Sequence, residues 1–157
     1  MMMHHPEQYR IRSVGKEHAK ALAHLHKSCF AKGWSHLEFE SFFERKGVFA
    51  AVAHHKDHGE VGFVLCWLIE DQCDLLSMGV LAEHRRDGVG LMLLDYAMEN
   101  AASLGGKAMV LEVNVNNTAA QTLYEAHGFE KFSVRKDYYA NADGTRADAI
   151  CMKKALV

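Results

Sequence analysis

The chain has 157 residues, 49% of them hydrophobic, and a formal net charge of −2, enough for one well-filled core and short of two, so a single globular domain over 1–157 is expected. So small a charge advertises neither nucleic acid nor an acidic membrane as a partner, and the longest apolar runs fall far below the ~18 residues of a membrane span. Cys29, Cys66, Cys73 and Cys151 form no C-x-x-C pair and the N-terminus lacks a signal-peptide plan, which points to reduced thiols in a cytoplasmic protein.

The opening "MMMHH" is too short to be read as a tag. "QYRIRSV" (8–14) then alternates polar and apolar residues as a short strand does, and "KEHAKALAHLHKSCF" (16–30) places Ala19, Leu22, Ala23, Leu25, His26 and Cys29 at helical spacing. In "SHLEFESFFER" (35–45), Ser35 and Glu38 have the spacing of a capping box, so a second short helix is expected. "GVFAAVAHH" and "EVGFVLCWLIE" flank the turn "KDHG" as a hairpin, and "QCDLLSMGV" (72–80) reads as a further strand.

Next comes "HRRDGVGLMLLDYAMENAASLG" (84–105), a glycine-containing doorway before a long proline-free amphipathic pattern. "KAMVLEVNV" (107–115) is a strand, "NTAAQTLYEAHG" (117–128) a helix stopped by Gly128, and "FEKFSVRKDYY" and "DAICMKKAL" two closing strands. The order β α α β β β α β α β β predicts an α/β (α+β) domain on a mixed sheet.

A helix N-terminus offers four unpaired N–H groups and about half a positive charge, which suits phosphate when the preceding chain can come close. Gly88 and Gly90 remove side chains that would block that approach, while Arg85 and Arg86 add donors matched to phosphate oxygens. The P-loop and dinucleotide fingerprints both fail here, because Leu91, Met92 and Leu93 stand where they need Lys, Ser/Thr or Gly. By itself R-x-x-G-x-G fits an ordinary left-handed loop into a core helix equally well.

With the strand ending at Val80, the strand "VLEV" and the run "NNTAAQTLYEAHGF", however, the sequence resembles the GNAT superfamily of acyl-CoA-dependent N-acetyltransferases. Arg85, Gly88 and Gly90 match its Q/R-x-x-G-x-G/A motif, and Asn117, Ala120, Leu123, Tyr124, Gly128 and Phe129 its second signature. "LEVNVNNTAAQTLYEAHGF", "VRKDYY" and "DGTRADAICM" resemble its RimI type, which acetylates the N-terminus of a ribosomal protein, and Glu112 precedes Tyr124 by the twelve positions typical of that type.

The resemblance implies the GNAT fold: a mixed, mostly antiparallel central sheet with helices on both faces, splayed between the strand ending at Val80 and the one carrying Glu112. It implies acetyl-CoA as cosubstrate. The backbone of Met78, Gly79 and Val80 would pair with the pantetheine arm, and the loop Arg86, Asp87, Gly88, Val89, Gly90 and Leu91, with Arg85 beside it, would wrap the diphosphate. Asn117 would hydrogen-bond the cofactor. Asp87 puts a negative charge beside an expected diphosphate and weakens binding unless it points away or pairs with an arginine.

Direct acetyl transfer needs a base for the amine and a proton for the leaving thiolate, and no covalent enzyme intermediate. Glu112, a carboxylate in a core-like strand, is the candidate base, through a water; on its residue type alone it could equally be a surface Glu or an arginine's partner. Tyr124 is the candidate acid, against the alternative of a packed core tyrosine. An α-amine with pKa near 7.7–8.0 is about 10% neutral at pH 7, and a lysine amine far less, which favours an α-amine acceptor.

Trp34, Tyr138 and Tyr139 are the candidate substrate contacts. Trp34 follows Gly33 where the RimI type carries proline, which would loosen that loop, and a core-anchoring Trp is the alternative. "AHHKDHG" (53–59) is rich in histidine, but its turn placement and the lack of a complementary ligand cluster make it a solvated hairpin, so no metal is expected.

The expected function is acetylation of a protein N-terminus, with a ribosomal protein S18-like acceptor first, by direct transfer in a ternary complex. An acetyltransferase of a small amine and a non-catalytic acyl-CoA sensor are the alternatives. The oligomeric state, a homodimer being the family habit, stays open.

Overall fold

Residues 6–156 are described by the computed structural model, so "MMMHH" lies outside them. The elements follow the expected order: β1 (Tyr9–Val14), α1 (Ala19–Cys29), α2 (His36–Phe43), β2 (Val48–His55), β3 (Gly59–Ile69), β4 (Gln72–Val80), α3 (Val89–Ser103), β5 (Ala108–Asn114), α4 (Thr118–Ala126), β6 (Glu130–Ala140) and β7 (Arg146–Ala155). The capping box at α2 is formed in both directions: Ser35 Oγ accepts from Glu38 N and Glu38 Oε1 from Ser35 N, each at 3.2 Å. Gly128 ends α4 at φ 90°, a left-handed position that glycine takes without strain.

The sheet runs β1-β2-β3-β4-β5-β7-β6, antiparallel throughout except for β4 and β5. Those two are parallel because α3 carries the chain back across the sheet between them. Successive residues of β2 serve opposite faces, as a central strand requires. Ala51 and Ala53 pack with Val89, Leu93, Leu94 and Ala97 of α3, while Ala50 and Val52 pack with Leu22 and Leu25 of α1 and Phe39 of α2. Helices therefore cover both faces. Among the described residues no helix is long and apolar enough to cross a membrane, and the four cysteines are free.

His26 closes the α1 end of the second core. Its ring stacks on Phe30 at 4.4 Å and on Trp34 at 4.5 Å, and its Nδ1 accepts the Trp34 N–H at 3.0 Å, drawing the 30–34 loop back over the helix. Gly33 is what lets that loop close: a Cβ there would stand 2.9 Å from Lys27 Cα. The expected loosening by glycine is thus corrected, because the residue permits a close backbone crossing.

Burial pushes the His26 imidazole down to about 4. The unfolded chain, with an ordinary value near 6.5, takes up a proton that the folded one refuses, so stability is full above pH 6.5 and falls as pH drops toward 4. A loss on the order of 2–3 kcal/mol is expected across that window. Urea unfolding at pH 7, 5 and 4 measures it, and His26→Phe should flatten that part of the curve; an unchanged slope would assign it to other groups.

Candidate active site

β4 and β5 pair only from Gln72↔Ala108 to Leu75↔Leu111. Beyond that point β4 is held by β3 alone and β5 by β7 alone, so the sheet opens into a wedge. The cause lies in register. Leu65 pairs with Ser77 and Cys66 with Leu75, which leaves Leu76 as a surplus residue on β4, and such a bulge bends its strand. Met78, Gly79 and Val80 line the wedge with backbone groups that no strand on the β5 side pairs. A Cβ at Gly79 would meet Cys29 and Phe63 at 3.0 Å, so glycine there lets the end of α1 lie against β4.

The N-terminus of α3 stands at the end of this edge. Its N-cap, Gly88, has φ 83°, Arg86 before it has φ 72°, and no side chain caps the helix, so the first-turn amides of Val89, Gly90 and Leu91 have no side-chain acceptor. A Cβ at Gly90 would find only Leu123 Cδ2 at 3.7 Å, so the glycine leaves room beside that turn. Arg85 folds back, its Nε donating to Val80 O at 3.0 Å. Asp87 turns away: Tyr9 Oη donates to its Oδ2 at 2.7 Å, and burial first, then Asp87, pushes that phenol up to about 12. Its charge is thereby committed to β1. An extended arm along β4 ending in a diphosphate fits this edge and this uncapped turn.

On the other wall, Glu112 is the first β5 residue past the parallel pairing. Met109, Leu111 and Val113 face α3, so by alternation Glu112 faces the opposite side. Arg135 Nη1 donates to its Oε1 at 2.7 Å, and the Arg135 guanidinium lies 4.3 Å from the Tyr138 ring centre. The pair is partly open: 54% of the Arg135 side chain and 27% of the Glu112 side chain are exposed.

Tyr138 and Tyr139 reach this place because β6 bulges. Arg135 pairs with Ala149 and Tyr139 with Ala147, four residues against two, and Asp137 at φ 53° is pinned by the Asp148 carboxylate on its N–H and by Arg146 Nε on its carbonyl. Tyr139 packs at 5.0 Å from Tyr138; its phenol is pushed up first by burial and then by Glu112, Tyr138 and Tyr124.

Tyr124 is buried on the α3 side beside Phe129, and burial raises its phenol to about 12. Among the described residues no protein group hydrogen-bonds its hydroxyl. Asn117 caps α4, its Oδ1 accepting from Ala120 N at 3.1 Å, which leaves its amide N–H groups free for another partner.

The structure thus gathers Glu112, Tyr124, Tyr138 and Tyr139 about the wedge, and Met78–Val80 and Arg85–Leu91 along its other side. Trp34 is placed elsewhere. It packs among His26, Phe39 and Phe42, with no contact to Glu112.

Two features escaped sequence reasoning. Arg135 as the partner of Glu112 has no local signal, since the residues are 23 apart and meet only through β7. The hairpin histidines are the second, and here the expectation of a solvated turn without complementary ligands is corrected: His55 is buried, and His84 joins it and His58.

Comparison with known proteins bears on this arrangement. The model of the acetyltransferase (GNAT) family matches residues 19–129. A [ribosomal protein bS18]-alanine N-acetyltransferase of Escherichia coli (strain K12) is 31% identical over 143 residues, covering 90% of this chain and 94% of that protein. The crystal structure of the ribosomal-protein-S18-alanine N-acetyltransferase from Escherichia coli superposes with a TM-score of 0.86 at 27% identity, covering 94% of each chain. Arabidopsis thaliana NAA60 in complex with a bisubstrate analogue shares the fold, with a TM-score of 0.81 at 15% identity over 94% of this chain and 97% of that one.

Proposed function

Because the chain belongs to the acetyltransferase (GNAT) family, whose acyl donor is acetyl-CoA, we propose that this N-acetyltransferase acetylates the α-amine of a protein N-terminus, a ribosomal protein beginning with alanine first. The observation that carries the acceptor reading is the openness around Glu112. Its Arg135 partner is more than half exposed and the neighbouring Tyr138 is 41% exposed, so an extended peptide can reach the carboxylate across β6, whereas a small amine needs an enclosing pocket. Homology to a protein that acetylates bS18 alanine, over 90% of this chain, supports the same acceptor. The four free cysteines support a cytoplasmic setting.

The donor supplies a thioester carbon to the wedge between β4 and β5. There the edge of Met78–Val80, which no strand on the β5 side pairs and where Arg85 holds the Val80 carbonyl, receives the arm, with the Val80 N–H directed at the thioester carbonyl oxygen. The amides of the first turn of α3 take the diphosphate, and Asn117 contributes from α4. Glu112, through a water, accepts the proton of the attacking amine, and the Tyr124 hydroxyl gives its proton to the departing sulfur. The two act from opposite faces of the sheet, which keeps acceptor and donor on separate approaches.

Thiol release from acetyl-CoA against short N-terminal peptides and free amines tests this. Turnover of a peptide beginning with Ala or Ser is expected. Turnover of small amines alone would overturn the peptide acceptor and keep the chemistry, and acetyl-CoA binding without turnover of any amine would make the protein a sensor.

A further inference from the structure

His55 at the end of β2, His58 in the following turn and His84, one residue before the Arg85–Leu91 loop, offer ligand nitrogens that all lie within 4.8 Å of one another. Their ring centres are 4.4, 5.1 and 5.1 Å apart. The three come from two separate stretches of chain, and two of them, His55 and His84, are buried. We propose that these histidines form a site for one divalent transition-metal ion of the zinc class, and that the ion ties the β2–β3 turn to the root of the α3 loop.

Proton placement carries the argument. Tyr9 has one phenolic proton, and it goes to Asp87 Oδ2 at 2.7 Å. The 2.8 Å contact between Tyr9 Oη and His84 Nδ1 is then a bond that His84 donates. His84 therefore holds its proton on Nδ1 and leaves the Nε2 lone pair unprotonated. A chain of carboxylate, phenol and imidazole N–H that fixes the tautomer and raises ligand basicity is the support that metal-bound histidine ordinarily has. His58 is exposed, and no hydrogen bond holds either of its ring nitrogens among the described residues, so it can rotate onto an ion.

His55 is the ligand that must change partners. Its Nδ1 accepts the N–H groups of Asp57 and His58 at 3.0 and 3.2 Å, and its Nε2 stands 3.3 Å from Gln8 Oε1. The proton is thus on Nε2, and ligation goes through Nδ1, with the two turn amides passing to water as the ion takes their place. Tetrahedral ligands at about 2.0–2.1 Å lie roughly 3.4 Å from one another, so the 4.8 Å group contracts when loaded. Contraction falls on the exposed turn, where movement is cheap. Three imidazoles without an oxygen set select zinc, cobalt, nickel or copper(II) over magnesium or calcium, and the side facing solvent leaves a fourth position for water.

The test titrates the full chain with zinc against a chelating indicator and with cobalt(II), whose visible absorption reports tetrahedral coordination. One equivalent bound with a micromolar or tighter Kd, and a rise in Tm on zinc addition, are expected. His58→Ala, a change at an exposed position, should weaken the affinity at least 10-fold and abolish the Tm rise. His84→Asn should weaken it about 100-fold, while His24→Ala and His36→Ala, which lie outside the cluster, change nothing. Binding no tighter than millimolar, or an equal affinity in His58→Ala, overturns the site. His58→Ala decides the matter even if His84→Asn fails to fold. Because the readouts are binding and stability, the outcome does not depend on the acceptor proposed above.

Discussion

Glu112→Gln is expected to lower kcat/KM for the favoured peptide by about 10²–10³-fold, the range lost with a positioned general base, while the Kd for acetyl-CoA stays within about twofold. The separation follows from geometry: the donor edge is β4 and α3, and Glu112 lies on β5 past the last paired residue. Glutamine keeps the shape and can still accept from Arg135 at the 2.7 Å contact, and a pair this open to solvent holds little of the fold, so the fold survives the change. Steady-state kinetics beside acetyl-CoA titration decides the role. Parallel losses of rate and donor affinity would make Glu112 a structural residue.

Arg135→Ala is the companion measurement. If Glu112 works through the oxygen that Arg135 does not hold, removing the arginine should change kcat/KM by less than about 10-fold. A collapse as deep as that of Glu112→Gln would show that the ion pair itself orients the carboxylate.

Tyr124→Phe is expected to reduce kcat by about 10²-fold at pH 7 with little cost in stability. The ring stays in its place beside Phe129, and the lost hydroxyl has no protein partner among the described residues to leave unsatisfied. The pH dependence carries a sign. With the phenol pushed up to about 12, the proton is present throughout the neutral and mildly alkaline range, so no loss from ionisation of Tyr124 should appear until pH nears 12. A rate-limiting group that titrates near pH 9 and disappears in Tyr124→Phe would contradict this account.

Element order and type were legible because the period of apolar residues changes cleanly between strands and helices and because Ser35, Gly88 and Gly128 mark helix ends. The glycine loop and the Glu112 and Tyr124 pair were legible as local spacing. What was not legible is whatever depends on strand neighbours that are distant in sequence. Arg135 finds Glu112 only once β7 is laid between β5 and β6, and the residues that bulge β6 at 135–139 carry no glycine to announce it. His84 joins the hairpin because β4 returns beside β3, so the stretch 53–59 alone carries no sign of it. Gly33 misled for a related reason: its importance lies in the backbone of Lys27 that crosses it, which a local pattern does not contain.

The surplus residue at Leu76 also sets a rule of parity. Before it, the odd-numbered Cys73 and Leu75 face the α3 core; after it, the even-numbered Met78 and Val80 do, and Gly79 is turned toward Cys29 and Phe63 on the other side. Deleting Leu76 would leave every residue that follows opposite its present β3 partner and on its present face, with Met78 and Val80 still toward α3 and Gly79 still toward Cys29, and would remove only the bulge that bends β4. A chain without that residue would keep its two cores and straighten β4 toward β5, so the cleft between the strands costs this sheet one residue and no change of face.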